Sequence, residues 1–405
     1  MAINLLSIAS AIKSMSSILL AVLILLVMVT VHEFGHYVAG KILGFKINEF
    51  SVGFGPAIFK KRSKKTGELF ALRVIPLGGY CAFDGEDEFG DEEETKEQET
   101  PFVEMQSSET QNSEGMAEVK EGNAAEEQVY PEPQGERFND QAPWKRIIVL
   151  IAGATMNYLL ALTFIIVMFA CFGRPMYKVM DLGGEEGVPT VTMEDELQLG
   201  DVITKIDGKT VYLITDYMDV LDGHKQGERL TVTVLRGEEK KDVYMELQAD
   251  ADIKNLSDTN TLLVAMGVYE LRTTTEKEGF FQTIGHSMAY SVKIGGTVLR
   301  SLGELLTGKL GVDAMGGPIT TIKITSEAAL VSFSSFLNIA AFIGVNLAVF
   351  NLLPIPALDG CKVIFCAIEW IRKKPVNRKV ETIIHFAGLI FLFGFAILVD
   401  LLQLF

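Results

Sequence analysis

The segment His32-Glu33-Phe34-Gly35-His36 places two imidazoles and a carboxylate within five residues. On a helix, residues four apart lie on one face one turn apart, so His32 and His36 could bind the same metal ion. Imidazoles at this spacing are typical of zinc sites, and Glu33 between them could act as general base toward a zinc-bound water. The segment predicts a hydrolytic zinc site, and the third protein ligand must come from elsewhere in the chain.

The motif follows an apolar stretch whose fourteen residues from Ile18 to Val31 carry no charge. Ionisable side chains are costly in a bilayer and usually have a function there, so a chance occurrence of the motif, the alternative, is disfavoured at this position. A signal peptide is a second alternative, but no small-residue cleavage site follows and the motif continues the same helix. We therefore expect a retained membrane anchor that carries a metal site.

Hydrophobic residues make up 48% of the chain, and four segments have the length and hydropathy of a bilayer span. The expected spans are about Ser17–Ala39, Ile147–Phe172, Phe333–Leu353 and Ile383–Leu402. Lysine and arginine cluster after the first span and between the third and fourth, and the positive-inside rule assigns both loops to the cytoplasm. The segment from about Tyr177 to Leu330 and both termini are then expected outside, with His32 and His36 in the cytoplasmic half of the first span.

The third predicted span ends in Asn351-Leu-Leu-Pro-Ile-Pro-Ala-Leu-Asp-Gly360. Two prolines two residues apart interrupt a regular helix, and irregular backbone at membrane depth must be buried in protein or line a wet cavity. Asp359 follows this break at about the expected depth of His36. Zinc coordination would explain a carboxylate there, whereas capping of a turn beside Gly360 is the alternative. Two histidines and one carboxylate would leave one position for water, the arrangement of catalytic zinc sites.

The net charge of −16 comes from one region, because residues 84–136 contain nineteen Asp or Glu and two Lys or Arg. This stretch has few large apolar residues, which predicts a disordered acidic insert in the cytoplasm. A solvated linker is the expected role, and a regulatory or partner-binding segment is the alternative. The four cysteines match neither a disulfide framework nor a zinc motif, so free thiols are expected.

The predicted outer segment contains short alternating strands over Leu197–Val211 and Leu230–Gly237, with one helix at about Leu213–Leu221. This pattern indicates a small peptide-binding module of the PDZ type, which takes an extended peptide as an added strand, or another small β-rich domain. Residues Gly279–Gly308 have near-helical apolar spacing and predict an amphipathic helix at the membrane surface or against the core. A fifth span is the alternative, and His286 in this segment is expected to be interfacial rather than a ligand.

Several motifs in this order resemble those of the site-2 protease family, in the bacterial RseP-type branch that carries a PDZ domain. The matching segments are His32–His36, Leu72-x-Val-x-Pro-Leu-Gly-Gly-Tyr80, Gly153-Ala-Thr-Met-Asn157, Gly316-Gly-Pro318 and Asn351-x-x-Pro-x-Pro-x-Leu-Asp-Gly360. The chain departs from the family at Cys361, where a second glycine is usual, and lacks the usual proline after Gly153. Its entry to the PDZ segment, Glu196-Leu-Gln-Leu-Gly-Asp201, is also unusual.

This resemblance implies a role for each matching site residue. His32, His36 and Asp359 would bind zinc, and Glu33 would activate the attacking water and then protonate the leaving amine. Asn157 and Asn351 would orient substrate or polarise the scissile carbonyl, although an asparagine in a membrane helix can instead hydrogen-bond a neighbouring helix. Residues Phe70–Tyr80 would form a re-entrant β-hairpin that offers an edge to unwound substrate.

The expected fold is a polytopic α-helical membrane protein with about four transmembrane helices, an extracytoplasmic PDZ-like α+β domain and a cytosolic re-entrant β-hairpin. Its expected segments are 1–80 (first span and hairpin), 81–140 (acidic insert), 141–176 (second span), 177–270 (PDZ-like domain), 271–330 (amphipathic interfacial segment) and 331–405 (third and fourth spans).

The resemblance implies a zinc-dependent intramembrane endopeptidase in the bacterial cytoplasmic membrane. Its substrates would be single-pass proteins such as pre-trimmed anti-sigma factors or remnant signal peptides, with a peptide or client outer segment at the PDZ-like domain and no nucleic-acid partner. A non-catalytic scaffold and a zinc transporter or sensor are the alternative classes.

Overall fold

A computed structural model describes residues 2–86, 130–182, 194–249, 259–309, 311 and 315–403. Most of the predicted acidic insert therefore lies outside the described residues. The helices are α1 (Ala2–Leu43), α2 (Pro143–Phe172), α3 (Ile214–Leu221), α4 (Thr259–Ala265), α5 (Phe280–Leu306), α6 (Pro318–Val331), α7 (Phe333–Asn351), α8 (Asp359–Arg372) and α9 (Arg378–Leu402). The strands are β1 (Ile47–Arg62), β2 (Leu69–Phe83), β3 (Arg174–Asp181), β4 (Val202–Ile206), β5 (Lys209–Thr210), β6 (Arg229–Arg236), β7 (Glu239–Glu246) and β8 (Glu270–Glu276).

Four of the described helices, α1, α2, α7 and α9, are long and apolar enough to cross a membrane. They correspond to the four predicted spans, so the chain is a polytopic membrane protein that also contains β-structure. The helix α7 ends at Asn351, two residues before the predicted end at Leu353. The cause of this difference is local. Leu353 directly precedes Pro354, and the residue before a proline disfavours helical geometry.

The chain forms two compact units, of which one contains Leu25–Met156 and Asn351–Gly394. We call it the hairpin unit, because its strands β1 and β2 pair antiparallel. The prediction that Phe70–Tyr80 alone forms the hairpin was wrong, since those residues all belong to β2 and their partner is β1. Gly53 and Gly55 in β1 have left-handed φ angles of 85° and 84°. They interrupt the alternation of apolar and polar residues by which a strand is identified in a sequence, so β1 was not predicted.

The hairpin is tied to α1 through the carboxylate of Glu68, in the loop between β1 and β2. Tyr37 donates a hydrogen bond from its hydroxyl to Glu68 at 3.0 Å, and Lys41 forms an ion pair with the same carboxylate at 2.5 Å. The Tyr37 ring also contacts the rings of Phe50 and Phe70, with centroids 5.5 and 5.9 Å away. Since Tyr37 directly follows His36, these contacts hold the hairpin beside the metal motif.

The other unit contains Met1–Ile24, Asn157–Phe350 and Phe395–Phe405, and we call it the sheet unit. Its antiparallel strands are ordered β7-β6-β4-β3-β8, with β5 paired to β4. The helices α3 and α4 cover a core of aliphatic side chains from the sheet. The sheet runs from Arg174 to Glu276, slightly beyond the predicted 177–270, because β3 starts directly after Gly173, whose φ of 90° ends α2.

The predicted amphipathic helix over 279–308 is present as α5, and one of its faces is buried by packing. Tyr290, Ile294 and Val298 are buried against α2 and α7, whereas Phe281 and Val292 are exposed. The small residues Ser287 and Ser291 are also buried, and small side chains permit close packing between helices, which leaves the large apolar side chains of the exposed face for a surrounding apolar phase. In this helix His286 Nδ1 lies 2.7 Å from the Tyr212 hydroxyl, and its interfacial location stays a prediction.

Candidate metal centre

The histidines of the first motif lie on one face of α1 and are nearly buried. His32 and His36 are 8% and 7% exposed, and their Nε2 atoms are 3.1 Å apart. This proximity follows from the helix, which stacks side chains four residues apart. Two imidazole nitrogens are therefore aimed at one point inside the hairpin unit.

Asp359 is the first residue of α8, and its carboxylate meets both histidines. Its Oδ2 lies 3.0 Å from His32 Nε2 and 3.3 Å from His36 Nε2. The approach depends on a tight turn before α8, in which a Cβ on Gly360 would overlap the backbone carbonyl groups of Leu352 and Leu353. Only glycine fits there, which explains the residue that follows Asp359.

The three donors fit a divalent metal. Their ligand atoms lie within 4.8 Å of one another, in the one such group of His, Cys, Asp or Glu among the described residues. Buried electron-pair donors at these distances repel one another unless a cation or a proton lies between them. Two imidazoles and one carboxylate are ligands that suit zinc and leave a coordination position free.

The backbone of α2 orients one of these histidines. His36 donates a hydrogen bond from Nδ1 to the carbonyl oxygen of Val149 at 2.8 Å. A proton on Nδ1 leaves the Nε2 lone pair available, which is the usual arrangement for a metal-binding imidazole. Sequence analysis missed this contact, because a backbone carbonyl carries no residue-type signal.

Two glycines allow α1 and α2 to approach at this point. A Cβ on Gly35 would lie 2.8 Å from the carbonyl carbon of Ala152, and one on Gly153 would lie 2.8 Å from His32 Cε1 and overlap His36 Nε2. The second glycine begins the motif that ends at Asn157. Its role in this structure is to leave space for both imidazoles.

We predict that Gly153→Val displaces the imidazoles and weakens zinc binding about 10- to 100-fold, the usual effect of disturbing the surroundings of metal ligands. Competition with a chromophoric chelator measures this affinity. Thr155→Val is the control, because it places the same valine side chain at an exposed position of the same helix. Equal zinc affinity in Gly153→Val and wild type would show that the close packing is irrelevant to the site.

Glu33 lies between the two histidines on α1 and is half-buried. The strand β2 passes beside it, since a Cβ on Gly79 would lie 3.3 Å from Glu33 Cγ and 3.7 Å from Val29 Cγ1. Any larger residue at position 79 would press on the Glu33 side chain. The hairpin backbone therefore borders the carboxylate that the sequence singles out as general base.

A polar network stiffens this part of the hairpin. Glu49 in β1 accepts hydrogen bonds from Arg73 Nη2 at 2.7 Å and from the Tyr80 hydroxyl at 2.9 Å, both in β2. Burial and the bond to Glu49 raise the pKa of Tyr80, which keeps its hydroxyl protonated as a donor. The part of β2 next to Glu33 is thus fixed by hydrogen bonds to β1.

The two predicted substrate-binding asparagines are not among the three metal-binding candidates. Asn351 is half-buried at the end of α7, in the hairpin unit with Asp359. Asn157 is 1% exposed in α2, in the sheet unit, where a Cβ on Gly344 of α7 would lie 3.5 Å from its backbone oxygen. Asn157 therefore lies where α2 and α7 pack closely.

An ion pair that sequence analysis missed joins α2 to α8. Arg146 is 1% exposed, and its Nη2 lies 2.7 Å from Glu369 Oε1. A pairing between residues this far apart in the chain leaves no local pattern in the sequence. The contact links the helix that orients His36 to the helix that begins at Asp359.

All four cysteines are free thiols, as predicted. Cys361 is buried beside Asp359, but it does not belong to the group of three ligand candidates. Burial raises the pKa of Cys366 to about 11 and raises the pKa of Cys81 above its ordinary range. These thiols are therefore protonated at neutral pH, and the predicted ligand set contains no thiolate.

The chain matches the sequence profile of peptidase family M50 over residues 20–395. It is 27% identical over 422 residues to "Zinc metalloprotease RasP" of Bacillus licheniformis, covering 93% of this chain and 96% of that protein. It is 26% identical over 400 residues to "Regulator of sigma-W protease RasP" of Bacillus subtilis, covering 89% and 92%. It is 25% identical over 417 residues to "Zinc metalloprotease RasP" of Oceanobacillus iheyensis, covering 92% and 95%.

Proposed function

The chain belongs to peptidase family M50, and we propose that it hydrolyses peptide bonds of single-pass membrane proteins within the bilayer. It is a zinc metallopeptidase of the site-2 protease type, embedded in a membrane. One observation supports the proposal most strongly. His32 and His36 lie on a helix that is long and apolar enough to span a membrane, and the carboxylate of Asp359 meets them there. Ionisable side chains are costly within a bilayer, so a group of three of them is expected there only if it has a function.

We assign His32, His36 and Asp359 as the residues that hold zinc. When bound, zinc supplies Lewis acidity, which lowers the pKa of a water molecule and polarises a carbonyl oxygen. Glu33 then accepts a proton from the attacking water at a carboxylate oxygen and delivers it to the nitrogen of the leaving amine. The hydrogen bond from His36 to Val149 keeps that imidazole in the required tautomer throughout.

The hairpin is proposed to bind the substrate backbone. A helical substrate hides its amides in internal hydrogen bonds, so cleavage requires a local unwound stretch whose amides find other partners. An added strand on a β-edge supplies such partners. The closeness of β2 to Glu33 at Gly79 supports this role. Asn157 and Asn351 are proposed to orient the substrate or polarise its scissile carbonyl.

The proposed substrates are single-pass proteins such as anti-sigma factors already trimmed outside, or remnant signal peptides. One relative is named a regulator of sigma-W protease, which supports the first class. We further propose that the protein lies in the bacterial cytoplasmic membrane with both termini outside, from the distribution of Lys and Arg in its loops.

The test of this function uses the full chain in liposomes with a single-pass substrate that has a short outer segment. Cleavage should stop when zinc is removed by chelation and return when zinc is added back. A protein that binds zinc stoichiometrically yet leaves every such substrate intact would contradict the proposal.

The β-sheet of the sheet unit is proposed to be an outer PDZ-type domain that excludes clients with large outer domains. Its antiparallel sheet with two short helices, and the terminal position of β8 in that sheet, suit binding of a peptide as an extra strand. Deleting residues 178–250 should allow untrimmed clients to be cut, with trimmed clients cut equally by both proteins as the control. Untrimmed clients that stay intact while trimmed ones are cut would rule out this filter.

A further inference from the structure

We infer that His385 in α9 is a positioning residue for Asp359, acting through the backbone of Ala357. The inference rests on the proposed role of Asp359 as a zinc ligand. His385 Nδ1 accepts a hydrogen bond from the backbone N–H of Ala357 at 3.1 Å. Ala357 lies two residues before the carboxylate, in the turn that connects α7 to α8.

The turn needs this support because Ala357 has a left-handed backbone, with φ of 76°. Residues with a Cβ seldom adopt this conformation, and they keep it only when surrounding contacts enforce it. Leu358 then donates a backbone hydrogen bond to Ile355 at 3.1 Å, and α8 starts at Asp359. The direction in which Asp359 leaves the turn therefore depends on the conformation of Ala357.

The helix α9 is fitted closely to this turn. Gly388, three residues after His385, lies so near that a Cβ there would be 2.7 Å from the backbone carbon and oxygen of Pro356. Phe365 of α8 packs edge-on against the His385 ring, with centroids 5.8 Å apart. The imidazole is thus held between the turn and the helix that begins with Asp359, and all of these residues belong to the hairpin unit.

The residue type points to a hydrogen-bonding role rather than to filling of space. A leucine or phenylalanine would pack in an apolar spanning helix at no electrostatic cost, whereas an imidazole is costly there without a polar partner. The partner observed is the N–H of the one residue in the turn with a left-handed φ. Removing the acceptor should let Ala357 relax and move the carboxylate of Asp359 away from the two imidazoles.

The experiment measures the zinc dissociation constant of the full-length protein in detergent by competition with a chromophoric chelator. His385→Leu, which removes the acceptor, should raise this constant about 10- to 100-fold, as losses of outer contacts to metal ligands do. His385→Asn, whose amide oxygen can replace Nδ1 as acceptor, should remain near wild type. Phe386→Leu, at the neighbouring exposed position of α9, is the control for substitution in this helix.

The decisive variant is Ala357→Gly combined with His385→Leu. Glycine adopts the left-handed conformation without a Cβ penalty, so the double variant should regain most of the lost zinc affinity. A role of His385 in packing alone would not be rescued at position 357. If His385→Leu fails to fold, His385→Phe tests the same loss of the acceptor with a ring retained.

Zinc affinity that is unchanged in His385→Leu, or unrestored by Ala357→Gly, would overturn the inference. His32→Ala in the same assay separates this result from a failure of the proposed function. If His32→Ala loses zinc while His385→Leu keeps it, only the positioning role is wrong. If His32→Ala also binds zinc tightly, the assignment of the metal site itself is wrong.

Discussion

Glu33→Gln is expected to bind zinc as tightly as the wild type while cleaving a membrane substrate about 10²- to 10⁴-fold more slowly, the usual contribution of general acid–base catalysis. The substitution keeps the size of the side chain and removes its ability to accept a proton. Because Glu33 is not one of the three convergent donors, the metal site should remain intact. Quantitative immunoblotting of substrate and product in proteoliposomes measures the rate, and chelator competition measures the affinity.

Phe34→Leu is the matched control for this prediction, since Phe34 is the next residue along α1 and is exposed. It should cleave at the wild-type rate. Cleavage by Glu33→Gln at a rate close to that of Phe34→Leu would contradict the assignment of Glu33 as general base. Loss of zinc from Glu33→Gln would instead mean that the carboxylate acts as a ligand.

Asp359→Asn is expected to lose both zinc and activity, with zinc affinity lower by at least about 100-fold, because a ligand itself is removed rather than its surroundings. The neutral amide keeps the shape of the side chain but not its charge. Asparagine also caps helix starts and turns as well as aspartate does. The variant therefore separates metal binding from the alternative in which Asp359 only caps the turn beside Gly360.

Metal content measured by mass spectrometry after purification reads out this variant. Asn377→Ala, in the loop between α8 and α9, serves as its control for substitution in the same unit. Full zinc occupancy with wild-type cleavage in Asp359→Asn would leave capping as the role of Asp359, and the third ligand would have to be sought elsewhere.

The convergence of His32, His36 and Asp359 could be predicted because each signal is local. The spacing of the histidines determines their shared face on a helix, and the prolines before Asp359 identify a break at the end of a span. The four spans could also be predicted from the sequence, since a run of about 20 apolar residues matches the thickness of the hydrocarbon core of a bilayer. Their helices are all present in the structure.

The features that escaped sequence analysis depend on contacts between distant segments. The acceptor for His36 is the carbonyl of Val149, and the partner of Arg146 is Glu369, more than two hundred residues away. The strand β1 was missed because two left-handed glycines interrupt its alternation, and β2 was therefore mistaken for a complete hairpin. Periodicity identifies where an element forms, whereas its partner is decided by tertiary packing.

The helix α5 shows that the sequence also did not identify which face of a helix packs against its neighbours. Apolar periodicity predicted the helix, but it did not identify which face of the helix would be buried. The structure buries Ser287 and Ser291 and exposes Phe281 and Met288. In a bilayer, the surrounding phase is as apolar as a protein core, so hydrophobicity alone does not identify the packing face.

The position of the cut in a single-pass substrate, reconstituted with the full chain in liposomes, tests most directly whether this protein cleaves within the membrane. Mass spectrometry of the products would locate it, with Glu33→Gln as the paired inactive control. We expect one cut inside the substrate's membrane-spanning segment, made by the wild type and absent with Glu33→Gln. Cuts confined to segments outside the bilayer, or the same cut with both proteins, would contradict an intramembrane peptidase at this site.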